Sequence, residues 1–205
     1  MHIPSKPTKE YKNIAFKQAL LRANRENDEY DVRKWLYIPH TYTDYRYILG
    51  TRGKNPLICI GINPSTARPD GLDNTLKSVE RIALGNGFDS FIMLNVYPQR
   101  ATNPDNMEKE LNAALHRENL EAFSYALSLC KQGKPSVWAA WGTIIEKRGY
   151  LFSCVMDMVK LSNKYGVRWF CAGAKTKKGH PHHPLYLKKD SLLDGFDIEN
   201  YCQIF

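Results

Sequence analysis

No run of apolar residues in this 205-residue sequence approaches the roughly 20 needed to cross a bilayer, so a helical membrane span is excluded. The opening Met-His-Ile-Pro-Ser-Lys-Pro lacks the apolar centre of a signal peptide, and a cytoplasmic protein is expected. Cysteine is sparse and unpatterned. Cys59, Cys130, Cys154, Cys171 and Cys202 are odd in number and form no C-x-x-C pair, which argues against a disulfide framework or zinc knuckle and for buried thiols. The glycine-rich loops of mononucleotide and dinucleotide binders are missing, as is the G-x-S-x-G elbow that would activate a serine. Neither an internal repeat nor a low-complexity tract occurs. Acidic residues are also in short supply: 21 Asp and Glu against 29 Lys and Arg leave a net charge of +8, compatible with nucleic acid or another polyanion.

What remains is an ordinary globular composition, 43% hydrophobic and 24% charged, long enough for one well-cored domain over residues 1–205. A helical and aromatic N-terminal extension is expected over 1–41 and the core over 42–190. The extension holds a weak helical stripe, Ile14, Ala15, Ala19, Leu20 and Ala23. The aromatic segment from Trp35 through Leu49 follows, read as one or two antiparallel strands.

Four buried strands stand out beyond it: Leu57–Gly61, Phe91–Val96, Val137–Trp141 and Val167–Ala172. Helical patterns separate them. Asp73 is the expected N-cap of a helix with Leu76, Val79, Ile82 and Ala83 on its inner face, stopped by Gly85-Asn86-Gly87. Asn103-Pro104 opens a second helical region to Cys130, with a break expected near His116, and Thr143 with Glu146 reads as the capping box of a third, running to about Lys164. Strands alternating with helices predict a three-layer α/β/α fold around a central, mostly parallel four-stranded sheet.

Each strand ends on a polar or glycine-containing turn, and parallel strands share one carboxyl rim, where open α/β sheets bind ligands. Asn63, Ser65 and Thr66 are expected there, with Asn95, Trp141 and Gly142, and the run from Lys175 to Leu187 containing His180, His182 and His183. Arg68, Arg100, Lys175, Lys177 and Lys178 would make the rim basic and hold phosphates, although a lysine-rich loop by itself is more simply a solvated one. A metal site is not expected: His182 and His183 diverge in extended backbone, and no cysteine or carboxylate sits at ligand spacing. No cofactor is implied.

The ordered set Tyr45-Arg46-Tyr47, Asn63-Pro64-Ser65-Thr66-Ala67, Asp73-Asn74-Thr75, Asn95-Val96, Ala101-Thr102-Asn103-Pro104, Trp141-Gly142 and Gly179-His180-Pro181-His182-His183-Pro184-Leu185 resembles the family called domain of unknown function 1643, over about residues 42–190. More distantly, Gly61-Ile62-Asn63-Pro64, Leu94-Asn95, Trp141-Gly142 and His180-Pro181 resemble the uracil-DNA glycosylase superfamily. His182-His183 stands where those enzymes carry Ser-Pro or Ser-Gly.

The second resemblance implies a DNA-repair type of hydrolase that acts on or binds nucleic-acid bases. Asn63 would position the attacking water and Asn95 would read the base. His180, or else His183, would be the loop histidine that donates to the departing base. Ser65, Thr66, Asp73, Trp141 and His183 would complete the substrate site, and DNA or a nucleotide would be the partner. A module of another class, binding a phosphorylated small ligand or a protein without turnover, would keep the same crevice. An esterase or transferase using Ser65 is the third reading.

Overall fold

The computed structural model of the chain describes residues 1–12, 14–25, 27–131 and 133–205. Seven strands form one mixed sheet: β1 (Trp35–Ile38), β2 (Ile48–Thr51), β3 (Pro56–Gly61), β4 (Ser90–Asn95), β5 (Ser136–Ala139), β6 (Arg168–Ala172) and β7 (Leu193–Gly195), in the spatial order β1-β2-β4-β3-β5-β6-β7. The four expected strands are its parallel centre, β4-β3-β5-β6.

The four-stranded expectation needs correcting at both edges. On one side β2 pairs antiparallel with β4, and β1 with β2. The aromatic segment is therefore part of the sheet, and β1, every residue of which is buried, is no extension. On the other side β7 pairs antiparallel with β6. Three residues, Leu-Asp-Gly, are too few to show any periodicity, which is why the sequence does not announce it.

Period-two alternation divides the central strands between two apolar clusters. Ile58, Ile60, Ile92, Leu94, Val137 and Ala139 belong to one, packed by α1 (Phe16–Ala23), α3 (Ala113–Ser128), α4 (Gly149–Ser162) and α5 (Ile198–Ile204). Leu57, Cys59, Phe91, Met93 and Trp138 belong to the other, covered by Leu76, Val79, Ile82 and Ala83 of α2 (Asn74–Gly85). Both faces of β3, β4 and β5 are thus buried, as parallel strands flanked by crossover helices must be, while β6 keeps Arg168 exposed and Phe170 half-buried on one face.

Two helices start differently from the reading above. α2 is capped as expected, Asp73 Oδ1 accepting from Leu76 N at 2.9 Å. By contrast Asn103-Pro104 opens only a 3-10 turn, Pro104–Asn106, and α3 begins later at the Asn112 cap, passing His116 without a break. Thr143 and Glu146 lie in a 3-10 segment, Gly142–Lys147, which an extended Arg148 (φ −137°) separates from α4. Glu146 is no capping residue because its carboxylate is engaged elsewhere, by Lys178 and His180.

The connections create a switch point. From β3 the chain crosses through α2, on one face, to β4; from β4 it crosses back through α3, on the opposite face, to β5. From β5 it crosses on through α4, on that same face, to β6, so the loops leaving the neighbouring strands β3 and β5 head for opposite faces and leave a crevice between them. All five cysteines are free thiols, with Cys59, Cys154 and Cys171 buried. Among the described residues no helix is long and apolar enough to cross a membrane.

Candidate functional site

At that crevice lies a cleft of about 760 Å³, walled by the loop after β3, the loop after β4, the start of α2, Gly142 to Ile144 and the histidine loop. Strand pairing carries on past the ends of β3 and β4, with Val96 N donating to Gly61 O and Tyr97 N to Ile62 O. Asn63 stitches the two loops together. Its Nδ2 donates to Ala101 O at 2.7 Å and to Pro64 O at 3.1 Å, and Ala101 N returns a bond to Pro64 O. The amide donor of Asn63 is thereby committed to the loops, and its carbonyl oxygen remains as the group to offer a ligand or water. Ser65 Oγ meets Thr102 Oγ1 at 3.1 Å across the same seam.

Asn95, the last residue of β4, lines the cleft with a side chain that is 1% exposed, and neither its Oδ1 nor its Nδ2 has a hydrogen-bond partner. Its backbone carbonyl accepts from Asn119 Nδ2 at 2.9 Å. Opposite Asn95 in the parallel register stands Gly61, where a Cβ would come within 3.1 Å of Asn95 Oδ1 and 2.5 Å of Met93 Cε. Glycine keeps the amide's surroundings open.

Two guanidinium groups support the loop from behind. Arg100 donates to Ser65 O, Ala67 O and the Tyr37 hydroxyl, and its guanidinium sits 4.3 Å from the Tyr42 ring centre. Arg46 Nη1 donates to the same Ala67 carbonyl at 3.2 Å, and Arg46 lines the cleft. Burial, reinforced by the neighbouring Arg100 charge, pulls Arg46 down to about 9 from the usual arginine range, which leaves it charged at neutral pH.

The far wall carries His183. Its Nδ1 accepts from Leu185 N at 3.3 Å, so the neutral ring bears its proton on Nε2. Burial, opposed by the Asp73 carboxylate and helped by His182, lowers its pKa to about 4. The ring is a neutral donor at physiological pH. Two contacts fix the loop: Ser78 Oγ of α2 donates to Pro184 O at 2.8 Å, and Gly142 N donates to Pro181 O at 3.1 Å. Gly142 has φ +63°, and a Cβ there would lie 3.4 Å from His183 Cβ, so a glycine suits both the backbone and the packing. Asp73 is the carboxylate among the described lining residues, with one oxygen used to cap α2.

The cleft therefore brings together Asn63, Ser65, Thr66, Asp73, Asn95 and His183. Other expected residues lie elsewhere. His180 is 1% exposed in the core, between Glu146 (2.9 Å) and the Tyr201 hydroxyl (2.8 Å), with Phe205 against its ring. Trp141 is buried beside it, its Nε1 donating to Tyr201 at 3.0 Å. Arg100 is a buried brace, and Arg68 is exposed without lining the cleft. Lys178 pairs with Glu146 and Lys175 lies over Phe196, so with Lys177 they form no basic rim on the cleft. Sequence reasoning missed Arg46, Thr75, Thr102, Thr143 and Tyr186 as lining residues. For Arg46 a signal existed, a charge inside an aromatic run that otherwise reads as core. Among the described residues no three His, Cys, Asp or Glu side chains cluster as a metal site.

Fold and site together define an α/β protein with a polar cleft at the switch point of its parallel strands. Its floor is an unpaired amide and its wall a neutral histidine. The chain belongs to the family described as protein of unknown function (DUF1643), whose model matches residues 46–185. No curated protein and no solved structure matches it.

Proposed function

We propose that the cleft binds a nucleobase and that the protein is a uracil-DNA glycosylase-like hydrolase of N-glycosidic bonds, built on the three-layer plan of that superfamily. The observation that carries this reading is Asn95. A buried amide with both donor and acceptor unpaired costs about 1–3 kcal/mol per group and is sustained where a ligand supplies the complement. A pyrimidine or purine edge offers an adjacent acceptor and donor of that kind.

In this reading Asn63 Oδ1 accepts a hydrogen bond from a water whose oxygen attacks the anomeric carbon. The carbon–nitrogen bond breaks with its electron pair moving onto the base, and the water's proton passes to Asp73. His183 Nε2–H donates to the anion developing on the base, the role the sequence assigned first to His180. A neutral donor suits that task, because it stabilises charge that appears only as the bond breaks.

The test is to incubate the protein with single- and double-stranded oligonucleotides carrying uracil, hypoxanthine or mismatches, and with free nucleosides, and to measure released base. Release that falls about 100-fold or more in Asn63→Ala and in His183→Ala is expected. Absence of base release from every substrate, together with absence of binding, overturns the reading. Binding without release would make the protein a binding module instead.

A further inference from the structure

Arg46 and Arg100 bring two positive charges into the wall behind the loop after β3, at 1% and 0% exposure. Neither forms an ion pair with a carboxylate among the described residues. Charges withdrawn from water persist only where other groups compensate for the lost hydration. Arg100 is largely compensated, by two carbonyls, a hydroxyl and the face of Tyr42. Arg46 is not. It has one carbonyl for Nη1 where Arg100 has two carbonyls and a hydroxyl, its Nε is buried with no partner as that of Arg100 also is, and it alone of the two borders the cleft. Asp73 acts on both guanidinium groups at longer range, which still leaves one of the two positive charges uncompensated.

The first turn of α2 adds to this, since Asn74 and Thr75 line the same cleft and the N-terminus of a 12-residue helix favours an anion. Hydroxyls of Ser65, Thr66 and Thr75 are also on the lining. The surface lysines are not, so positive charge is concentrated inside the cleft rather than along a track that a strand could follow.

We propose that Arg46 forms an anion subsite and that the ligand of the cleft is a nucleoside monophosphate, its phosphate on Arg46 and its base on Asn95. The base half rests on the reading under Proposed function; the phosphate half stands on the guanidinium alone. Guanidinium geometry matters, because a planar fork can bind two phosphate oxygens at once whereas an ammonium is a point charge.

Calorimetric titration at fixed ionic strength, with inorganic phosphate, nucleosides, their 5′-monophosphates and an oligonucleotide containing an abasic site, tests both halves. A monophosphate is expected to bind at least about tenfold more tightly than its nucleoside. Arg46→Lys is expected to erase that preference while leaving nucleoside binding in place, and Asn95→Ala to weaken nucleoside and monophosphate alike. Equal affinity for nucleoside and monophosphate in the wild-type protein overturns the subsite, a comparison that holds even where Arg46→Lys fails to fold. Tighter binding of the oligonucleotide than of any monophosphate overturns the free nucleotide as ligand. Phosphate binding that is lost in Arg46→Lys, with no nucleoside bound at any concentration, upholds the anion subsite and removes the base-binding reading.

Discussion

Asn95 is held at a disadvantage to the fold. Leucine has the same number of side-chain heavy atoms with the same branching, is somewhat bulkier and has nothing to hydrogen-bond, so Asn95→Leu removes two unpaired buried polar atoms without opening a cavity. The variant is expected to be more stable than the wild type by about 1 kcal/mol, measured by urea unfolding, while base binding disappears. A loss of stability would mean that the amide serves the fold rather than a ligand. Asn63 presents the opposite case, because its Nδ2 bridges two loops and its removal must disturb both. The contrast between the two amides was not legible in the sequence. Each is an asparagine at a strand end, and only the partners reached by the folded loops distinguish a committed amide from a free one.

At the level of elements, the attachment of β2 to β4 brings the aromatic N-terminal strands into the sheet, and it depends on one residue. A Cβ at Gly50 would stand 2.2 Å from Phe91 O and 2.8 Å from Ile92 Cα, both backbone atoms that cannot swing aside. Gly50→Ala is therefore expected to cost about 2–4 kcal/mol, of the order seen for severe backbone and overpacking changes, with the denaturation midpoint as the readout. Unchanged stability would show that β2 can move off β4 without consequence. The central strands and α2 were readable because their apolar residues recur with a period of two or near 3.6 and because Asp73 announces its helix. The aromatic strands β1 and β2 were readable as an antiparallel pair though not as part of the central sheet, whereas β7 and the start of α4 were not readable, since β7 is three residues long and Glu146 satisfies a local capping pattern while binding a distant histidine and lysine.

For the molecule as a whole, pH dependence follows from groups that folding holds in one state. His183 is lowered to about 4 by burial, and burial also lowers His2 and His40 from 6.5. Between about 4 and 6.5 the unfolded chain then binds more protons than the native one. Stability consequently rises with pH across that window and is lost as pH falls through it. Asp31, Asp89 and Glu146 are lowered too: hydrogen bonds from Arg33, and from Lys178 and His180, hold down Asp31 and Glu146, while for Asp89 burial is the largest influence and acts upward, outweighed by bonds from Ser90, Asn55 and Lys54. They extend the loss toward lower pH in the same direction. Thermal unfolding from pH 4 to 7 should show a rising midpoint, with a shallower rise in His183→Gln. A rise of the same slope in that variant would assign the effect to the other groups.

The sequence by itself determined the alternation of strands and helices, the parallel centre of the sheet and the set of polar residues at strand ends. These follow from periodicities and caps that act over a few residues. Only the tertiary structure decided which of those polar residues face one cleft. His180 and His183 lie three positions apart in the same loop, yet one is locked to Glu146 and Tyr201 in the core and the other stands across from Asp73. Arg46 and Arg100 likewise become neighbours because the segment before β2 pairs with the loop after β4 and both side chains reach Ala67 O in the loop after β3, a relation of residues far apart in the chain that no local pattern encodes.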